Sequence, residues 1–414
     1  MGQARLTEAI LAAAEPEETE ALLARLIAIE SHGEAPGLES TAAAFLLGWL
    51  SEHGIECRLE EVLPNRPNVI ARIPGAGSGP SLLLNGHLDT VPPYGMPEPF
   101  TAVKREGRIY GRGSVDMKGA LAAMMMALAL IKRSGILLAG DVVFAATVGE
   151  ETYSPGAHHL AGSGFTADYA IVGEPTGLRV GIAHKGVAWY EAEFTGLSVH
   201  GSVPEQGVNA VYRASRWICH LQDHYLPKLK ARSHPLLGSP TLNIGTIEGG
   251  TRPVIVPNRC AVGFERRLIP GETAETALDE LRETLTEARL AYPGFDGEVR
   301  IMDNFHGVPH GPLQTLGNGL LARELLAAYE AEMAGGVPAA AEPIGLQFWT
   351  DGALLQRCCR ETVVCGPGRI EQAHSDEEYI ETDQLHAACR MYVRTALALC
   401  GEPSASQEEK EARR

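Results

Sequence analysis

SLLLNGHLD, residues 81–89, is an apolar run that stops at a glycine and then presents a histidine and a carboxylate. Three other stretches end in the same way. FAATVGEE (144–151) closes on Glu150 and Glu151, and AIVGEPT (170–176) carries Glu174. TVVCGPGRIEQAHSD (362–376) reaches His374 a few residues past its apolar part. Short apolar runs bounded by glycine and proline read as buried strands. Between the first two lies Val115–Arg133, a helix pattern holding GALAAMMMALALIKR and ended by Ser134-Gly135. Strands at Ser81–Asn85, Asp141–Val148, Asp168–Val172 and Glu361–Cys365, alternating with helices, predict a mostly parallel α/β sheet. In such a sheet the binding crevice lies outside the carboxyl ends of the strands. The four runs therefore deliver their histidines and carboxylates to one edge. Asp116, which opens the helix after GRGSV, is a fifth candidate.

Upstream, Thr19–Ile29 and Leu38–His53 have apolar residues at helical spacing. Ile55–Val62 and Asn68–Ile73 are β-rich, and the turn PGAGSGP leads into the first run. Downstream, the pattern changes near Gly186. Val187–Phe194 alternates like a half-exposed strand, and Val208–Lys230 is a helix pattern. Strands Thr241–Ile247 and Asn258–Leu268, helix Glu272–Ala291 and strand Gly297–Met302 follow. That β-α-β-β-α-β order is the ferredoxin-like split unit. The expected organisation is a catalytic domain from 1–185 and 303–414, with a lid domain at 186–302 inserted into it. Leu320–Met333 and Thr382–Leu399 return to helix. The charged, aromatic-free tail from about 401 to 414 is expected to be disordered.

The chain has 414 residues and a net charge of −17. A protein so acidic repels phosphate backbones and anionic membranes, so nucleic acid and membrane partners are not expected. No apolar run approaches the ~20 residues that span a bilayer. The eight cysteines form no C-x-x-C pair. Several sit in apolar runs, where reduced, inert thiols are usual, which suits the cytoplasm. The N-terminus lacks the basic start and cleavage site of a signal peptide.

Two histidines and three carboxylates without cysteine form a donor set suited to zinc, cobalt or manganese. At H-x-D spacing His87 and Asp89 share one side of an extended segment, so Asp89 could bind the second ring nitrogen of His87. Glu150 and Glu151 point different ways, so one can ligate while the other stays free as a base. The Met124–Met126 run reads as helix core. His158, His159, His306 and His310 read as surface or loop residues.

In ordered motifs from Asn85 to Tyr379, the chain resembles the acetylornithine deacetylase / succinyl-diaminopimelate desuccinylase family of metallopeptidases, relatives of aminoacylases and glutamate carboxypeptidases. The motifs are NGHLDTVP, YGRGSVDMKGALAAM, GEE, VGEPT, GLSVHGSVPEQGVNA, ERRLIPGE and GPGRIEQAHSDEEYI. The resemblance implies two zinc ions, with cobalt or manganese as substitutes. His87 and Glu174 would hold one, Glu151 and His374 the other, and Asp116 would bridge them in a segment that often carries a cis peptide. Glu150 would be the general base and Asp89 the partner of His87. His200 would reach the other subunit's site and steady the oxyanion, and Arg267 would bind the substrate carboxylate. A homodimer through the lid domain is implied too. The activity implied is hydrolysis of the amide bond of N-acyl amino acids by a zinc-activated water. A carboxypeptidase or dipeptidase, or an N-carbamoyl amino acid amidohydrolase, would use the same metal ligands. A non-catalytic relative would have lost a ligand or the base, and all are present. Two departures bear on substrate: Glu265 precedes the arginine pair where Asp is commoner, and Val254 stands where many members have Asn.

Overall fold

The apolar runs become strands of one sheet because their side chains are buried along their whole length, as in Leu82–His87 and Val142–Thr147. Six of its nine strands run in the order Glu56–Leu63, Arg66–Ile73, Val142–Thr147, Leu82–His87, Ala167–Pro175 and Cys359–Gly366. The last four are mutually parallel, and the first two join antiparallel. A computed structural model describes residues 3–401 except 36, 293, 305 and 334–341. Nearly all of the tail expected to be disordered lies outside the described residues.

Helix Lys118–Ser134 is apolar all round and buried from Lys118 to Ile131, Met124–Met126 included. It lies between the sheet and helices Pro16–Ile27 and Thr382–Cys400. Its approach to the strands is close. A methyl group on Gly86 would sit 2.6 Å from Met117 Cε, and one on Gly173 would sit 2.7 Å from Met124 Cε. Glycine is what lets this helix start against the strand ends.

The chain divides into two compact units, one of Met1–Ile182, Thr315–Ile344 and Thr350–Arg414, the other of Ala183–Gln314 and Gly345–Trp349. The second holds a four-stranded antiparallel sheet in the order Thr241–Gly249, Arg259–Leu268, Gly186–Thr195, Glu298–Ile301. Helices Ala210–His220 and Ala274–Ala291 pack on it through Trp217, Leu281, Phe194 and Phe264. This is the ferredoxin-like arrangement. Thr273 caps the second helix by accepting the Thr276 N–H at 3.1 Å. The helix read over Val208–Lys230 is interrupted. Leu221–Tyr225 forms a π turn, and Leu226–Ala231 resumes as helix. Pro227 explains the break, since it has no N–H to continue the regular ladder. Among the described residues no helix is long and apolar enough to cross a membrane.

Candidate metal centre

Each strand of the parallel set carries or leads, at its carboxyl end, to a residue singled out from sequence, so the sheet itself gathers them. His87 is the last residue of Leu82–His87, and Glu174 is the penultimate residue of Ala167–Pro175. Glu150 and Glu151 follow Val142–Thr147, where Gly149 turns the chain with φ 79°. Asp116 precedes the buried helix and joins Met117 by a cis peptide. His374 comes in from the loop after Cys359–Gly366.

Asp116 is the centre of the cluster. Its Oδ1 lies 3.0 Å from His87 Nε2, and its Oδ2 lies 3.3 Å from His374 Nε2. On the His87 side, Glu174 Oε1 is 3.6 Å from the same imidazole nitrogen. On the His374 side, Glu151 Oε1 is 3.1 Å from Nε2. The five donors thus fall into two groups sharing one carboxylate. A second grouping of close donor atoms, His87, Glu150 and Glu174, places Glu150 beside the first group.

Asp89 holds this arrangement in a way the H-x-D spacing does not reveal. His87 Nδ1 lies 2.8 Å from the main-chain oxygen of Asp89, and the Asp89 carboxylate is farther off at 3.5 Å. That carboxylate instead accepts the main-chain N–H groups of Gly149 and Glu150 on one oxygen and of Glu151 on the other, at 2.9, 3.0 and 3.0 Å. It fixes the backbone from which both glutamates project.

The electrostatics favour a cation. Burial, reinforced by the charge of Glu174, holds the Glu150 carboxyl well above the usual carboxylate range. Burial and Asp116 do the same to Glu174, and more weakly to Glu151. For Asp116, burial is outweighed by His374 and His87 on its two oxygens, and the carboxyl is held low. Asp116 and then Glu151 push His374 up to about 10. Burial alone would lower His87, yet Asp116 and Asp89 raise it well above its ordinary value. The carboxylates around them thus draw both imidazoles toward the positively charged form. Glu174 Oε1 is buried without a hydrogen-bond partner, which is costly unless a charge or donor meets it. The donor types and this orphaned oxygen fit two divalent ions.

Two further buried carboxylates near the cluster are not among the residues singled out from sequence. Glu378, four residues past His374, is buried and accepts the N–H groups of Gly113, Val115 and Asp116 at 3.1, 3.0 and 3.1 Å. Arg112 donates to it at 2.5 Å. Asp351 is buried, accepts the Thr147 hydroxyl at 2.9 Å, and is pushed up to about 6, chiefly by burial. Glu378 lies inside the motif GPGRIEQAHSDEEYI without having been assigned a role, and Asp351 lies in none of the motifs.

The other two candidates belong to the second unit. His200 is exposed, with Nδ1 2.7 Å from the Ser202 hydroxyl. Arg267, half-buried on Arg259–Leu268, lies 3.3 Å from Glu265. Val254 is exposed in the loop after Thr241–Gly249. His310 lies in a loop, one of the two places read for it, but is buried there, with its ring centroid 4.1 Å from that of Trp349. His306 is exposed, and His158 and His159 are half-buried on helix Pro155–Gly162.

A family model, Peptidase family M20/M25/M40, matches residues 83–398. An acetylornithine deacetylase of Proteus mirabilis (strain HI4320) is 33% identical over 81% of this chain and 84% of its own length. A second, from Edwardsiella ictaluri (strain 93-146), is 34% identical over 82% and 85%. Among solved structures, a tripeptidase of Staphylococcus aureus is similar with a TM-score of 0.75 at 22% identity, covering 93% of this chain and 98% of that one.

Proposed function

The chain belongs to peptidase family M20/M25/M40, and from that premise we propose that it hydrolyses the amide bond of N-acyl amino acids, as the acetylornithine deacetylases it resembles do. The observation that carries this reading is Asp116 between His87 and His374, with Glu150 half-buried beside them. His87 and Glu174 are assigned to one divalent ion, Glu151 and His374 to the other, and Asp116 to both. Zinc is the proposed ion. Two such ions would acidify a water and polarise the scissile carbonyl.

The remaining work falls to the chain's own groups. Glu150 takes a proton from the attacking water and returns it to the leaving amine from the same carboxylate. The Asp89 carboxylate keeps the Glu150 main chain in place while that happens. His200 is assigned to the oxyanion in a partner subunit's site, a role its exposed ring supports. Arg267 is assigned to the substrate carboxylate, supplying orientation. The first unit is the proposed catalytic domain and the second the lid. The homodimer is proposed to form through the lid sheet, where Thr241–Gly249 pairs on one side only among the described residues and exposes Ile247. The cytoplasm is the proposed compartment, on the strength of eight free cysteines.

The test is to strip the protein with a chelator, restore zinc, and follow amine release from N-acetyl-ornithine, other N-acyl amino acids and dipeptides. Zinc-dependent release from the acyl amino acids is expected. Release from dipeptides alone would move the assignment to a peptidase, and failure to bind any metal would overturn it.

A further inference from the structure

Away from the metal centre, two nucleophilic side chains lie together. Cys358 and Cys359 are neighbours in sequence, and their sulfurs are 3.9 Å apart. Along an extended strand, successive side chains point to opposite faces. Here the pair straddles a turn instead. The Cys358 N–H donates to Leu355 O at 3.0 Å, and Cys359 is the first residue of strand Cys359–Gly366. The turn brings the two thiols to one side. Cys358 is half-buried and reachable from solvent, whereas Cys359 is buried. Neither is in a disulfide, and among the described residues no other two cysteine sulfurs are in contact.

The two sulfurs differ in character. The Cys359 thiol is pushed up, first by its hydrogen bond with Cys358 and then by burial. Cys358 is shifted the other way, by that same hydrogen bond and by the nearby Arg357 guanidinium. One sulfur is thus disposed to attack, and a second stands within a side-chain rotation of the same electrophile.

We propose that Cys358 and Cys359 form a vicinal dithiol site that captures a soft trivalent arsenical, with both sulfurs bonded to one arsenic. Soft thiolate pairs favour such thiophilic centres over the harder ions suited to imidazole and carboxylate. In the step, two S–H bonds break and two As–S bonds form. The oxygen of an arsenoso group, R–As=O, leaves as water with the two thiol protons. Arsenic stays trivalent and no oxidant is needed. The site is independent of the amide-hydrolase reading. Cys359 begins the strand whose far end feeds the His374 loop, so the pair lies about 25 Å from the strand's carboxyl end.

The test uses the zinc-loaded protein and phenylarsine oxide. Intact-mass measurement is expected to show one adduct, with the loss of two titratable thiols. A dithiol such as 2,3-dimercaptopropanol should release it, and excess monothiol should not. Cys358→Ser and Cys359→Ala should each weaken capture at least ~100-fold, with hydrolysis by C358S unchanged. If C359A does not fold, C358S alone decides, since its side chain is half-buried at a turn. An adduct that persists in C358S would overturn the proposal. So would the absence of any adduct on the native protein.

Discussion

Glu378 and Asp116 meet through the backbone: the Glu378 carboxylate accepts the Asp116 N–H at 3.1 Å, four residues after His374 in the chain. The loop that brings His374 to one oxygen of Asp116 therefore also grips the main chain on which Asp116 stands. Glu378→Gln puts an amide donor against a set of N–H donors, so at least one buried group loses its partner. Metal affinity, measured by competition with a chelator, is expected to fall by ~10–100-fold, the range for groups that orient ligands. Unchanged affinity in a folded variant would remove Glu378 from the site.

Glu150→Ala is expected to keep both metals and to lose turnover by at least ~10²–10⁴-fold, the range of general acid–base catalysis. Metal content and rate should be measured on the same sample. Loss of a metal would make Glu150 a ligand, which the grouping of His87, Glu150 and Glu174 also permits.

Much of this site was legible because a parallel sheet turns sequence order into position: an apolar run followed by Gly and a polar residue marks a strand's carboxyl end. That logic found His87, Glu150, Glu151 and Glu174. It did not single out Glu378 or Asp351, because their partners, the N–H groups of Gly113, Val115 and Asp116 for one and the Thr147 hydroxyl for the other, lie far away in the chain. For the same reason Asp89 was matched to the His87 ring, its near neighbour in sequence, while its carboxylate serves residues 149–151. The break before Pro227 was readable, since proline inside a helical pattern signals one. The apolar periodicity running through it masked the signal.

His200→Ala is expected to lower kcat by ~10²–10³-fold if the imidazole donates to the oxyanion. Because the assigned site lies in a partner subunit, mixing H200A with E150A protein should restore part of the activity in hybrid dimers. No restoration in a demonstrated hybrid would place both roles in one subunit.

Metal binding is expected to release protons. His374 is held near 10 by Asp116 and Glu151, so at pH 7 its imidazole carries a proton that a metal must displace. Affinity should accordingly rise with pH. Calorimetric titrations with zinc at pH 7, in buffers of different ionisation enthalpy, should give heats that differ in proportion. Heats independent of buffer would contradict the protonation state.

Gly173→Ala is expected to destabilise the protein by about 1–3 kcal/mol, because the added methyl meets Met124 and Ala120 at 2.7 and 2.8 Å. Denaturant unfolding measures this directly. A neutral result would mean that the helix can shift away from the strand.

The strand Cys359–Gly366 pairs with Ala167–Pro175, yet almost two hundred residues of chain, including the whole second unit, are made between them. During synthesis the strand Ala167–Pro175 must wait with one edge open. At about 5–20 residues per second the delay lasts on the order of ten seconds or more. His374 emerges later still, so a nascent chain can display four of the five proposed metal donors long before the fifth exists. On the proposed assignment, metal would load only at the end of translation, and a ribosome stalled within the second unit would leave an acidic, half-made cluster and an unpaired strand for chaperones to shield.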